Sequence, residues 1–283
     1  MLYSASNAKL KINGNEILAS QAQLSLSTSL SPNYDLNQRN TTTHTPNKGI
    51  DGKLSFSYYY TGDDYFKQFI TGQGEVPFTG SMTMSGNFGG LWFDSGYLTS
   101  YSVGFSPNSP VVANADVSFF SDLEGVYTGN AEEPPIAVDE ILNFENATVV
   151  DNPVATEQRI DNFIGGSYNY SCDVKPVYLM GEVVPSRVNY GVKTVNTSFE
   201  IDGPTGELPV SGSRALIFVR LRNENDVVRD GFICSGVVQQ RNVGASVGGY
   251  TKQIINIVQN DAVKDTVIKT IVDSQGCVGI GST

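Results

Sequence analysis

Gly96-Tyr97-Leu98-Thr99-Ser100 and Gly231-Phe232-Ile233-Cys234-Ser235 read as one phrase written twice: glycine, aromatic, aliphatic, small, serine. The match continues at the same offset without a gap, so that Val103 meets Val238, Val112 meets Val247, and Phe119-Phe120 meets Ile254-Ile255. Upstream, Asn47-Lys48-Gly49-Ile50 meets Asn189-Tyr190-Gly191-Val192. Each is followed by a strand-like run, Leu54 to Tyr60 in one case and Val195 to Ile201 in the other. A tandem copy of one β-module is the expectation. Unrelated hairpins also share glycines and alternating apolar residues, so the strand order of the two halves is the deciding observation. A repeated module in one chain usually builds a surface for stacking or ring formation rather than a single catalytic cleft.

Composition agrees with a β-rich chain. Its 283 residues suffice for one large domain or two of ordinary size, each able to bury a core. Charged residues make up only 17%, while Tyr and Phe number 14 each, a mixture suited to strands with neutral polar faces. The formal net charge of −11 repels nucleic acid and anionic lipid. That argues against a conventional DNA- or RNA-binding protein, though not against a conduit wall to which a polyanion should not stick. Cys172, Cys234 and Cys277 are sparse, odd in number and widely spaced, which gives neither a disulfide framework nor a zinc site. They read as free thiols of a chain folded in a reducing cytoplasm. No apolar run reaches membrane-spanning length, and Met1-Leu2-Tyr3-Ser4-Ala5 does not open a secretory signal.

The fold expected is mainly β: two tandem antiparallel modules of sandwich or barrel type, each with a short helix. The first module spans 1–125. It holds the turn dipeptide Asn13-Gly14, the alternation of Leu24 and Leu26 with Ser and Thr, and a long polar loop over 31–48. Leu54 to Tyr60 is a strand, and the spacing of Tyr65, Phe66, Phe69 and Ile70 predicts a short helix begun by Asp63-Asp64. Strands at Phe78 to Met84, Leu91 to Phe93, Gly96 to Phe105 and Val111 to Phe120 complete it. Residues 126–159, with Glu132-Glu133-Pro134-Pro135, read as a connector in which Val138 to Phe144 forms a short helix or strand. The second module spans 160–283. Its strands are expected at Tyr168 to Val174, Val177 to Val184, Val192 to Ile201, Ala215 to Leu221, Asp230 to Val238 and Tyr250 to Val258. A helix or a final strand follows at Asp261 to Val272, then a tail.

Catalytic chemistry finds little to stand on. The single histidine, His44, lies in the polar loop, whereas nucleophilic triads and histidine metal sites need an oriented imidazole. Gly86-Asn87-Phe88-Gly89-Gly90 and the glycines of 244–249 lack a following helix start, so they read as hairpin turns rather than phosphate cradles. Asp63-Asp64 and Glu132-Glu133 could pair as carboxylates for glycoside hydrolysis, but a helix start and a connector account for them more simply. Tyr58-Tyr59-Tyr60, with Trp92 and Tyr97, could form a sugar platform, although a sheet core with subunit contacts is the commoner fate of such aromatics. No catalytic residue, cofactor or metal is assigned.

The order of elements through Asp63 to Ile70, and then Gly96-Tyr97-Leu98-Thr99-Ser100-Tyr101-Ser102-Val103 and Ala113 to Phe120, resembles the tail tube proteins of tailed bacteriophages. The resemblance covers the first module well and the second more loosely. It implies β-sandwiches whose inner strands join across subunits to close a barrel around a channel. It also implies a long loop that reaches the neighbouring ring; here that loop carries Thr41, Thr42, Thr43 and His44. A chain with two modules would then form a trimer with pseudo-sixfold symmetry. The counterpart loop near Pro185 to Asn189 is much shorter, a departure from like-for-like stacking. The implied partners are further copies, other tail proteins, and genomic DNA passing through the lumen without specific binding; no membrane is implied. The implied location is the tail of the virion, after assembly in the host cytoplasm. Alternatives are another virion component (baseplate, tail-terminator or capsid-decorating) or a carbohydrate-binding sandwich.

Overall fold

The structure is a computed structural model that describes residues 10–17, 19–33, 43–61, 64, 66, 84–127, 141–151, 156–180, 182, 184–203, 208–223, 228–245 and 251–259. These residues are mainly β, and their elements contain no helix. The helix expected near Asp63 and the terminal helix or strand at 261–272 lie almost wholly outside the described residues.

The strands in chain order begin with β1 (Leu10–Ile12), β2 (Asn15–Ile17), β3 (Ala19–Asn33) and β4 (Thr43–Tyr59). Next come β5 (Met84–Phe88), β6 (Leu91–Phe105), β7 (Val112–Phe119) and β8 (Glu124–Gly125). The rest are β9 (Asn143–Asp151), β10 (Thr156–Arg159), β11 (Phe163–Val177), β12 (Arg187–Asp202), β13 (Arg214–Arg222), β14 (Val228–Gly244) and β15 (Lys252–Gln259). All pair antiparallel within one sheet. Its backbone is a run of eight strands in the order β3-β4-β7-β6-β11-β12-β15-β14. The order of the first four recurs in the second four.

β6 and β14 each change partners along their length. The start of β6 pairs β5 and β8, and its remainder pairs β7. The start of β14 pairs β13, which leads to β9 and β10, and its remainder pairs β15. Strands that switch partners in this way fold a sheet back over itself. Phe144 of β9 stacks on Phe163 of β11 at 4.5 Å, although these strands are far apart in the pairing order. Phe232 of β14 likewise touches Tyr60, Phe105 and Tyr168. The buried apolar side chains form one cluster running through both halves of the chain. Alternation supplies it: Leu54, Phe56 and Tyr58 turn inward from β4 while Lys53, Ser55 and Ser57 turn outward.

The tight turns obey their residues. Asn13-Gly14 has positive φ at both positions (48° and 82°), as a two-residue turn of this hand requires, and joins β1 to β2. Gly89-Gly90 does the same between β5 and β6, with Asn87 Oδ1 accepting from the Gly90 amide.

Several expectations are corrected. Both ends of the loop expected over 31–48 are strand: Pro32 pairs with His44 and Asn33 with Thr43, and 34–42 lie outside the described residues. Prolines at an edge or near a strand's end do not interrupt a two-stranded hairpin, and Thr is a good strand former. Tyr168 to Val174 and Val177 to Val184 are not two strands; Tyr168 to Val174 lies within β11, which ends at Val177 opposite Arg187 of β12. Two parts of the expected connector, Asn143–Asp151 and Thr156–Arg159, are β9 and β10, with β9 drawn into the sheet by burial of Phe144, Ala147 and Val149. The ungapped offset fails at the repeated phrase itself: Gly96 to Ser100 of β6 pairs β7, whereas Gly231 to Ser235 pairs β13, not β15, the partner of the later part of β14. The β14 hairpin ends at Gly244 opposite Lys252, as that of β6 ends at Gly104 opposite Val112, so Val112 is matched by Lys252 and not by Val247. A bulge between Val238 and Gln240 matches the one between Leu98 and Ser100, which aligns Leu98 with Val238 and not with Ile233.

Candidate assembly edges and polar sheet face

One face of the eight-strand run packs on the core, and the other is wet. Register fixes what the wet face carries. Gln23 lies opposite Ser55, Ser55 opposite Asp116, and Asp116 opposite Ser100. Ser100 lies opposite Ser171, which faces Thr194. Further on, Ser198 faces Asn256, and Asn256 faces Gln240. The result is a band of hydroxyls and amides crossing all eight strands. Over the first four it sinks into an open trough of about 320 Å³, lined in part by Gln21, Gln23, Ser57, Asn114 and Asp116.

Register places two lysines on this face, and both are paired with carboxylates of the adjacent strand. Lys53 of β4 reaches Asp116 of β7 at 3.1 Å, and Lys252 of β15 reaches Glu200 of β12. Asp202 lies opposite Lys252, and Asp51 stands two residues before Lys53 on β4, opposite Ser27. Acidic groups therefore outnumber basic ones on the band.

The two ends of the run are open. Among the described residues, no strand pairs with the outer side of β3 along 20–27 or with that of β14 along 239–244. Gln21, Gln23, Ser25 and Ser27 at one end and Gln239, Gln240, Asn242 and Val243 at the other are exposed. In the middle of the run the corresponding margins are joined: β6 pairs β11 from Ser100 opposite Ser171 to Phe105 opposite Gly166. Exposed strand margins are normally blunted or covered, because their free amides and carbonyls recruit other strands.

Two hairpin arms extend past the run. Beyond Gly52, β4 pairs only with β3, and β11 and β12 continue as a hairpin past Ser171 and Thr194. His44 is exposed on the first arm, and Thr43 sits there opposite Asn33; Thr41 and Thr42 lie outside the described residues. The arms touch, with the Tyr178 ring covering Gly49 so closely that a Cβ there would overlap it.

Tyr58, Tyr60 and Tyr97 take the core fate expected as the commoner one, rather than forming a sugar platform. Tyr58 and Tyr60 are buried, and their hydroxyls donate to buried carboxylates: Tyr58 to Asp64 at 2.6 Å and Tyr60 to Asp230 at 2.5 Å. Tyr101 also donates to Asp64, at 2.9 Å, and so does the Phe66 amide, at 2.7 Å. Burial, reinforced by the neighbouring Asp64 charge, holds the Tyr58 and Tyr101 phenols well above their usual range; for Tyr60 burial is followed by Asp230 and Asp64. This network was not legible in the sequence, which shows the tyrosines but not the partners that turn them inward. Cys234 is fully buried and its thiol is pushed up to about 12 by desolvation, which makes it an inert hydrophobe. No group of three or more His, Cys, Asp or Glu able to hold a metal occurs among the described residues. No protein-family model matches this chain, and no curated protein matches it either.

Proposed function

We propose that this chain is a structural virion protein of the phage tail-tube kind, in which copies join edge to edge into a ring around a polar channel. The observation that carries the reading is the repeated order β3-β4-β7-β6 and β11-β12-β15-β14 with an internal β6–β11 seam. On this reading the two runs are tandem modules, and the seam inside one chain is the pattern for the seam between chains. β14 of one copy pairs with β3 of the next, which removes both open margins at once. Three copies make a ring with six runs and pseudo-sixfold symmetry, and rings stack into a tube.

The wet face becomes the channel wall. Its hydroxyls, amides and paired lysines offer DNA no array of free cations, so a polyanion passes without being held. The role is structural, in the tail of a virion, with other tail proteins at the ends of the tube.

Negative-stain microscopy of the purified protein tests this directly. Rings or hollow rods with a central hole are expected, together with a mass by light scattering that is a multiple of the chain. A monomer that persists at high concentration overturns the reading.

A further inference from the structure

The contact between the two arms carries information about a second, open surface. Each arm has one register shift at a matching place, between Thr28 and Leu30 on the first and between Cys172 and Val174 on the second. The shift in β4 contains Gly49, and the shift in β12 contains Gly191 and Val192. The two bulges differ in length, three residues of β4 and two of β12, and in their cover. Gly49 is buried beneath the Tyr178 ring, whereas Gly191 is exposed and Val192 is 80% exposed.

The tyrosine has a counterpart as well. Tyr178 follows Pro176 by two residues at the tip of the second arm, and Tyr34 follows Pro32 by two residues on the first. The two prolines hold matching register positions, Pro32 opposite His44 and Pro176 opposite Val188. Tyr34 itself lies outside the described residues.

We propose that the Gly191–Val192 bulge is a docking site for a second copy of this chain, filled by the Pro32-Asn33-Tyr34 segment of that copy's first arm. The inference rests on the edge-to-edge reading, which sets the next copy's first arm beside this copy's second arm, as the first arm here lies beside the second. The contact buries an exposed apolar side chain against an aromatic ring and covers backbone that a bulge leaves without ladder partners. It adds a side-chain contact to each seam between copies, at the end of the run remote from the β6–β7 and β14–β15 turns.

A cysteine pair reports on the site. In a Cys277→Ser background, Tyr34→Cys with Val192→Cys is treated with a short bis-maleimide, beside a Gly49→Cys with Tyr178→Cys control whose link forms within one chain. Covalent multimers are expected from the first pair, absent from either single variant, while the control shows only an internal link. A linked control with no multimers overturns the docking. Ring formation is read separately by microscopy of the unmodified protein. Rings without the cross-link sink the docking alone, and multimers without rings sink the tube reading while the docking stands. Val192→Ser, a surface change that leaves the fold intact, is expected to raise the concentration for half-assembly about tenfold, the equivalent of about 1.4 kcal/mol per seam. An unchanged assembly concentration counts against the proposal.

Discussion

At the scale of single residues, the most consequential groups are two buried carboxylates and the phenols that face them. Asp64 receives three hydrogen bonds, from Tyr58, Tyr101 and the Phe66 amide. Asp64→Ala strands those donors in the core and is expected to cost about 3 kcal/mol in denaturant unfolding. Tyr60→Phe removes the donor to Asp230, a bond between the first and second halves, and is expected to cost about 2 kcal/mol. The phenols also set a pH limit. Tyr58, Tyr60 and Tyr101 have raised values in the fold, so their contribution is complete below the unfolded value of about 10 and is lost as pH climbs above it. A phenolate absorbance titration should therefore show a late step that coincides with loss of strand circular dichroism. A single smooth titration with the strands intact would contradict the burial. The sequence showed the tyrosines plainly, but inward and outward faces of a strand exchange with a one-residue slip, so their fate waited on register.

At the scale of strands, most of the layout was legible because period-two alternation and turn dipeptides are local signals. Asn13-Gly14 and Gly89-Gly90 turn where their composition says they should. The first arm was missed because the sequence of 31–48 is largely polar and carries no apolar alternation. Close packing between strands makes a sharper prediction. A Cβ at Gly236 would collide with the Val258 carbonyl in the paired strand, and backbone cannot move aside cheaply. Gly236→Ala is expected to destabilise by about 3 kcal/mol. Gly104, on the wet side of β6 at its hairpin end, has open space around it, so Gly104→Ala should shift the unfolding midpoint little. Equal effects at the two sites would refute the β14–β15 register.

At the scale of the molecule, the repeated phrase lies at non-equivalent places in the two runs, and what sequence withheld was the strand order and the geometry joining the halves. The β6–β11 seam links residues far apart along the chain, and no local pattern announces it. The wet face can be examined as a whole through its charges. Asp116→Asn combined with Glu200→Gln uncovers Lys53 and Lys252. The unmodified protein is expected to ignore duplex DNA, while the double variant gains weak binding whose logarithm falls more steeply with log salt, by about 2 in slope. Fluorescence anisotropy across a salt series measures it, and unaltered behaviour would mean that the carboxylates shield nothing. The two ion pairs also run in opposite senses: the lysine is on β4 in one and the carboxylate on β12 in the other. In an oligomer of identical short subunits, every station around the circumference would have to carry the same sign at a given height. On the proposed ring reading, fusing two stations into one gene product would lift that restriction, so that plus and minus alternate from station to station and each half acquires its own trade.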